Sequence, residues 1–183
     1  MFDRTDARYT ANIGYMAIKD ISIRISEVED LEQLEPADRE LVELSRQMTT
    51  KAYAPYSGFY VGAAVRLDNG EVITGSNQEN GAYPSGLCAE RVAVFAASAM
   101  FPGVPMKVIA VSAKSPRLSM DEPVSPCGAC RQVMLEYETL QDKPIRLLLS
   151  KENGRILLID KVADLLPLSF TGTNLKNQKI SKP

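Results

Sequence analysis

Apolar residues switch between helical and alternating spacing along the chain, which predicts a protein that mixes helices with strands. After Pro36 they recur at helical spacing, at Leu41, Leu44, Met48 and Ala52. Asp38 and Glu40 stand in the first turn, where the helix dipole favours acidic side chains, and Pro55 cannot continue a helix. The pattern therefore predicts an amphipathic first helix that begins near Pro36 and ends before Pro55.

A period-two pattern follows this helix. Every second residue from Phe59 to Leu67 is apolar, and Val72 and Ile73 resume the apolar pattern after the segment Asp68-Asn69-Gly70. Asn and Gly tolerate the positive φ angles of a tight turn. These residues predict a β-hairpin.

Shorter apolar runs mark the remaining elements. Helices are predicted over residues 92–100 and 131–137, strands over 108–111, 145–149 and 156–159, and a short closing helix over 162–166. A partial alternation of isoleucines over residues 18–25 predicts an edge strand that precedes the domain. The main elements run in the order α-β-β-α-β-α-β-β-α. This order indicates an α/β protein with a mixed sheet of about five strands and helices on its faces.

Composition narrows the classes of partner. The chain has 183 residues, 45% of them hydrophobic, which is enough for one sizeable core. Its net charge of −2 and isoelectric point near 5.3 argue against nucleic acid as the main partner, because phosphate binding needs a surplus of Lys and Arg. Residues 1–15 lack the apolar stretch of a signal peptide, and no membrane span is indicated. We expect a cytoplasmic protein that binds neither nucleic acid nor a membrane.

The candidate chemistry lies in three cysteines, in a chain without histidine. Cys88 precedes Ala89 and Glu90, while Cys127 and Cys130 form a Cys-x-x-Cys pair beside Pro126. Structural zinc sites use four protein ligands, whereas catalytic sites leave the fourth position to water, so three thiolates predict an open zinc site. A structural site with a carboxylate as fourth ligand, or three buried free thiols, are the alternatives. No cysteine is left over for a disulfide, which fits a reducing compartment.

Charged residues next to these cysteines complete the predicted metal site. Three thiolates on Zn²⁺ carry a net charge of −1, so a cation should compensate. Arg91 lies three residues after Cys88, on the same side of a helix, and Arg131 beside Cys130 is a second candidate. Glu90 is the candidate acid–base group, since the reaction of a metal-activated water needs a proton carrier. For Arg91, Arg131 and Glu90 alike, the alternative is a solvated residue on a helix.

Five segments together resemble one enzyme family. They are residues 53–59, 61–64, 75–80, 83–91 and 126–132. They contain a Glu two residues after a ligand and a Pro-Cys-x-x-Cys segment, which is the three-cysteine form of the signature of zinc-dependent nucleobase deaminases. Over about residues 41–170 the chain is similar to the homotetrameric cytidine deaminases of pyrimidine salvage. We expect an N-terminal extension over 1–35, a deaminase domain over 36–170 and a polar tail over 171–183.

The resemblance implies a three-layer α/β/α cytidine deaminase-like fold, a Zn²⁺ cofactor and a homotetramer. It also implies that cytidine and deoxycytidine are hydrolysed to uridine and deoxyuridine with release of ammonia. Glu90 would take a proton from the attacking water, deliver it to ring N3 and later protonate the departing amino group. Arg91 would neutralise the thiolates.

Substrate contacts are also predicted. Asn77 and Glu79 are spaced by two in an extended segment, so their side chains can point the same way and hydrogen-bond one sugar hydroxyl as donor and acceptor. By resemblance, this pair holds the ribose 3′-hydroxyl, Phe59 packs against the nucleoside and the backbone of Ala89 lies against the pyrimidine. A polar turn is the alternative for the pair, and an ordinary core position is the alternative for Phe59.

The resemblance extends to the neighbouring subunit. Phe170 matches an aromatic residue that stacks on the base in the active site of another subunit, and Tyr83 matches a residue at subunit contacts. After Phe170 the family pattern Gly-Pro-Glu-Asp is replaced by Thr171-Gly172-Thr173-Asn174. Because the departure directly follows Phe170, it bears on whether Phe170 reaches the position of the family's aromatic residue.

Three other functions are compatible with parts of the sequence. A deaminase acting on RNA or DNA is disfavoured by the acidic isoelectric point and by a clamp for a free hydroxyl. A deaminase for a modified cytosine compound such as blasticidin S is disfavoured by Asn77, Glu79 and Arg91. From another class, a zinc-stabilised interaction module would unfold without metal but would tolerate the loss of Glu90.

Overall fold

The computed structural model describes residues 18–152 and 154–172. Within them the chain forms six strands and three α-helices. In chain order these are β1 (Ser26–Val28), α1 (Pro36–Met48), β2 (Tyr60–Leu67), β3 (Val72–Ser76), α2 (Ala89–Met100), β4 (Met106–Lys114), α3 (Gly128–Gln141), β5 (Arg146–Lys151) and β6 (Ile156–Ile159). Short 3-10 turns cover Leu31–Gln33, Thr49–Lys51, Tyr83–Ser85 and Val162–Leu165.

The strands form one mixed sheet in the order β1-β6-β5-β4-β2-β3. Only the β4–β5 pair is parallel within this sheet, with Val108 opposite Arg146 and Ala113 opposite Lys151. Parallel neighbours need a crossover connection, and α3 provides it. The loop from β4 to α3 therefore leaves the sheet in its centre, which brings Cys127 and Cys130 there.

The sheet separates two apolar clusters, so the fold has three layers. Alternate residues of β2 supply both clusters: Ala63, Val65 and Leu67 pack with α2 and α3, whereas Ala64 packs with α1. Period-two alternation in a strand with both faces covered produces this division. The predicted three-layer α/β/α architecture is confirmed.

Gly75 lets α2 lie directly on β3. A Cβ atom at this position would be 2.6 Å from the backbone nitrogen of Ala93 and 2.7 Å from the carbonyl oxygen of Ala89. Backbone atoms cannot move aside as a flexible side chain can, so any larger residue would push the start of α2 off the sheet. That end of α2 carries Cys88, Glu90 and Arg91.

Most predicted elements are found, with one correction. The first helix, the hairpin and the strand over 156–159 are confirmed, and the closing helix is a 3-10 turn. The edge strand predicted over residues 18–25 was wrong: these residues form no strand, and β1 lies just after them. Ile21 and Ile23 are 50% and 42% exposed, and no strand of the sheet pairs with these residues. With β1 the sheet has six strands instead of about five. The sequence did not indicate β1, because its three residues are too few to show a period-two pattern.

The predicted domain limits stay a prediction. Residues 1–17 of the expected extension and residues 173–183 of the expected tail lie outside the described residues. Val28 and Leu34, within the expected extension, pack with the α1 cluster. No helix among the described residues is long and apolar enough to cross a membrane.

Candidate active site

The three cysteines meet where two helices begin. Cys88 and Cys127 are the N-cap residues of α2 and α3, and Cys130 is buried in the first turn of α3. The Sγ atom of Cys127 lies 3.9 Å from that of Cys88 and 3.6 Å from that of Cys130. All three sulfur atoms are within 4.8 Å of one another. Unpaired backbone N–H groups and the positive end of each helix dipole favour thiolates here.

This geometry fits a zinc ion. Tetrahedral coordination with Zn–S bonds of about 2.3 Å places two sulfur atoms about 3.8 Å apart. The observed separations of 3.9 and 3.6 Å differ from this value by a few tenths of an ångström. Among the described residues, no carboxylate joins the three sulfurs as a fourth ligand. The cluster therefore matches an open zinc site rather than a structural site closed by Asp or Glu.

Arg91 lies within hydrogen-bond distance of one of the thiols. Its Nη2 donates to the Sγ atom of Cys88 at 3.7 Å and to the carbonyl oxygen of Gly86 at 3.4 Å. Hydrogen bonding from Cys130, with further bonds from Arg91 and Cys127, lowers the pKa of Cys88 to about 5. The same bond to Cys88, together with burial, raises the pKa of Cys130. The buried Nε of Arg91 has no partner among the described residues.

Arg131 does not share this role. Its Nε donates to the carbonyl oxygen of Pro126 at 2.8 Å and its Nη1 to that of Leu165 at 3.0 Å. Both bonds go to backbone, so Arg131 ties the segment before α3 to the last 3-10 turn. Arg131 is therefore not the solvated helix residue of the alternative either, because its guanidinium is bonded to two backbone carbonyl groups.

Glu90 lies beside the cysteine cluster in the first turn of α2. It is only 5% exposed, and burial raises the pKa of its carboxyl group. Glu90 lines the same cavity as Cys88 and Cys127. A buried carboxyl group whose proton affinity is increased suits an acid–base role.

A cavity of about 600 Å³ opens in front of the thiols. This volume is typical of sites for small molecules. Its lining combines two of the three cysteines and Glu90 with polar and apolar side chains from three loops. The residues singled out from the sequence that line it are Phe59, Asn77, Glu79, Tyr83, Cys88, Glu90, Arg91 and Cys127.

Asn77 is held in place by the start of β2. Its Oδ1 accepts from the backbone N–H of Val61 at 2.8 Å, and its Nδ2 donates to the carbonyl oxygen of Phe59 at 2.9 Å. One lone pair and one N–H remain for a ligand. The side chain therefore presents one donor and one acceptor in a fixed orientation.

Glu79 is held by the neighbouring loop. One oxygen, Oε2, accepts from the backbone N–H groups of Tyr56 at 2.9 Å and Ser57 at 3.3 Å, and the other, Oε1, accepts from the Ser57 hydroxyl. The bond from the Ser57 hydroxyl, assisted by these two N–H groups, lowers the pKa of Glu79. The group is therefore an ionised acceptor near neutral pH.

Two predicted contacts stand apart from the cavity lining. Ala89 is fully buried as the first residue of α2 and is not among the residues that line the cavity. Phe170 is 62% exposed and lies outside the cavity of its own chain, where its carbonyl oxygen accepts from Nε2 of Gln132 at 2.9 Å. The cavity also includes Tyr56, Val124 and Ser125, which sequence analysis did not single out.

Comparisons with known proteins agree with this geometry. Residues 35–141 match the model of the cytidine and deoxycytidylate deaminase zinc-binding region, more than half of the chain. The chain is 40% identical over 137 residues to a cytidine deaminase of Halalkalibacterium halodurans, covering 75% of this chain and 96% of that protein. The chain therefore belongs to the cytidine and deoxycytidylate deaminase family.

Two further relatives bear on fold and substrate. A cytidine deaminase structure from Burkholderia pseudomallei is 39% identical with a TM-score of 0.63, covering 72% of this chain and 97% of that one. A blasticidin-S deaminase of Bacillus cereus is 31% identical over 138 residues, covering 73% of this chain and 92% of that protein.

Proposed function

We propose that this protein is a zinc-dependent cytidine deaminase of pyrimidine salvage that converts cytidine and deoxycytidine to uridine and deoxyuridine. Water replaces the amino group: a C4–O bond forms, the C4–N bond breaks and ammonia leaves. The carrying observation is that one cavity is lined by Cys88 and Cys127 of the zinc-spaced thiol cluster, by the buried Glu90 and by the polar pair Asn77 and Glu79.

Glu90 performs the proton transfers. Zinc held by Cys88, Cys127 and Cys130 would act as a Lewis acid that lowers the pKa of a water. Glu90 takes the proton of the attacking water, transfers it to ring N3 and later protonates the departing amino group. Its raised pKa favours a carboxyl group that both accepts and returns a proton.

The sugar is held by Asn77 and Glu79. The free N–H of Asn77 donates to a sugar hydroxyl, which in turn donates to the ionised Glu79. The 3′-hydroxyl is common to ribose and deoxyribose, so both sugars fit. A polynucleotide carries phosphate at this oxygen and would be repelled by the Glu79 carboxylate. Phe59 forms the apolar wall, and the backbone of Ala89 faces the pyrimidine.

The active unit is a cytoplasmic homotetramer. Support comes from large side chains that are exposed in the single chain, including Tyr83 at 76%, Leu168 at 86% and Phe170 at 62%. Burying such side chains against other subunits would be favourable. In this assembly Phe170 stacks on the base bound by a neighbouring subunit. A monomeric mass in solution would contradict the tetramer.

The test is turnover of cytidine by the zinc-loaded protein, followed as uridine formed. The Glu90→Gln variant keeps the shape of the side chain but cannot carry the proton. The matched control is Glu43→Gln, on the exposed side of α1. Turnover by the wild type and the control, but not by Glu90→Gln, is expected. Normal turnover by Glu90→Gln would overturn the role of Glu90.

A second candidate substrate is blasticidin S, favoured by the relative from Bacillus cereus. Its cytosine carries a sugar that differs from ribose, so the Asn77–Glu79 pair should be less well matched. Parallel assays should give a much higher kcat/KM for cytidine. The reverse preference would assign the chain to the modified substrate.

A further inference from the structure

Ser57 forms hydrogen bonds to two residues of the proposed sugar site, Glu79 and Phe59. Its hydroxyl donates to Oε1 of Glu79 and accepts from the backbone N–H of Phe59 at 2.9 Å. Its own N–H donates to Oε2 of Glu79 at 3.3 Å. One residue therefore contacts both the carboxylate and the backbone of the aromatic residue in the cavity wall.

These bonds limit what Glu79 can still accept. A carboxylate offers about four lone-pair positions. Oε2 accepts from two backbone N–H groups, and Oε1 accepts from the Ser57 hydroxyl. One acceptor position remains, on Oε1, in a side chain that lines the cavity. The direction of that position depends on the bond from Ser57.

The backbone of Phe59 is fixed by the same group of residues. Its N–H donates to the Ser57 hydroxyl, and its carbonyl oxygen accepts from Nδ2 of Asn77 at 2.9 Å. Both polar backbone groups of Phe59 are thus bonded to side chains that adjoin the sugar site. Loss of the Ser57 hydroxyl would release one side of Phe59 and reorient Glu79 at the same time.

We infer that Ser57 is a positioning residue that determines selectivity for a nucleoside with a free 3′-hydroxyl. It aims the last acceptor position of Glu79 at that hydroxyl and does not touch the reacting atoms. This inference rests on the proposed function.

The experiment compares two product nucleosides that differ only at that position. Inhibition constants of 2′-deoxyuridine and 2′,3′-dideoxyuridine are measured against cytidine turnover by the zinc-loaded enzyme. The ratio of the two constants reports the 3′-hydroxyl contact and is independent of the active fraction. For Ser57→Ala the advantage of deoxyuridine should fall about 10-fold, as for a hydrogen bond to a charged group. Ser57→Thr keeps the hydroxyl and should retain the wild-type ratio.

The control is Ser119→Ala, an exposed serine outside the cavity lining, which should leave the ratio unchanged. A Ser57→Ala enzyme that loses affinity for both nucleosides equally would have suffered a general structural change, and the inference would fail. Wild-type affinity for both nucleosides in Ser57→Ala would also overturn the inference. Failure of the wild type to deaminate cytidine would instead refute the proposed function, so the two failures are distinct.

Discussion

Two buried carboxylates lie on the helices that carry the thiols, and their surroundings differ. Glu90 in α2 is 5% exposed and Glu138 in α3 is 8% exposed. Glu138 accepts from the backbone N–H groups of Ile145 at 2.8 Å, Val162 at 2.8 Å and Ala163 at 2.9 Å. Glu90 instead borders a cavity beside the cysteine cluster. Burial alone therefore does not mark an acid–base group; access to a ligand does.

The difference also separates function from stability. Glu138 joins α3 to the start of β5 and to the last 3-10 turn, by bonds to fixed donors. A carboxylate satisfied in this way holds elements together. Glu90 instead hydrogen-bonds Cys130 of α3, so its contact between elements lies within the cysteine cluster. Replacing Glu90 should lower activity and leave stability unchanged, whereas replacing Glu138 should lower stability and leave activity unchanged.

The largest expected effect is on turnover in Glu90→Gln. Loss of an acid–base group should lower kcat by about 10²- to 10⁴-fold, because water cannot replace a positioned proton carrier. Zinc content and the melting temperature should stay close to the wild type, since the amide has the same shape. Steady-state kinetics, metal analysis and thermal melts on one preparation check this. A large loss of stability would erase the contrast with Glu138.

The opposite result is expected for Glu138→Ala. Three backbone N–H groups would lose their acceptor, and each buried unpaired group costs about 1–3 kcal/mol. The free energy of unfolding should fall by several kcal/mol, while kcat per bound zinc changes little below the melting temperature. Urea unfolding and kinetics at low temperature measure both quantities. Glu136→Ala, an exposed neighbour, is the control.

A smaller effect, on zinc affinity, is expected for Arg91, which lies at the same cysteine cluster as Glu90. Arg91→Gln removes the cation that contacts Cys88. Loss of such a supporting contact typically weakens metal affinity or activity by about 10- to 100-fold. Competition with a chelator measures zinc affinity, and Arg155→Gln, which removes the bond to Glu122, is the control. If Arg91→Gln and Arg155→Gln bind zinc equally tightly, Arg91 does not support the metal site.

The smallest effect concerns an exposed carboxylate. Hydrogen bonds from Lys107 and Lys143 lower the pKa of Asp68 from its ordinary value of 3.8. A carboxyl group with a lowered pKa in the folded state stabilises the fold above its unfolded pKa and loses this effect as pH falls through the folded pKa. The small difference in melting temperature between wild type and Asp68→Asn should be present at pH 7, begin to shrink near pH 3.8 and disappear only below the folded pKa, which lies under 3.8. A difference that persists there would contradict the ion-pair explanation.

The sequence by itself determined the local elements and the chemical identity of the site. Period-two alternation over residues 59–67 specified a strand, because successive side chains in a strand point to opposite faces. Helix starts after Glu35 and Cys88 were marked within a few residues by helical spacing and by the signature around Glu90. The three candidate thiol ligands and the candidate acid–base group Glu90 were named from residue type and spacing, since metal chemistry restricts both.

Only the tertiary structure decided which distant segments meet. Cys88 and Cys127 are 39 residues apart, and their contact depends on the α3 crossover and on Gly75 beneath α2. The donors around Glu79 come from a loop more than 20 residues earlier, and no local pattern specifies them. Spacing along the chain reports local backbone geometry, whereas contacts between segments depend on close packing of the whole core. For that reason β1, Ser57 and the backbone contacts of Arg131 became visible only in the folded chain.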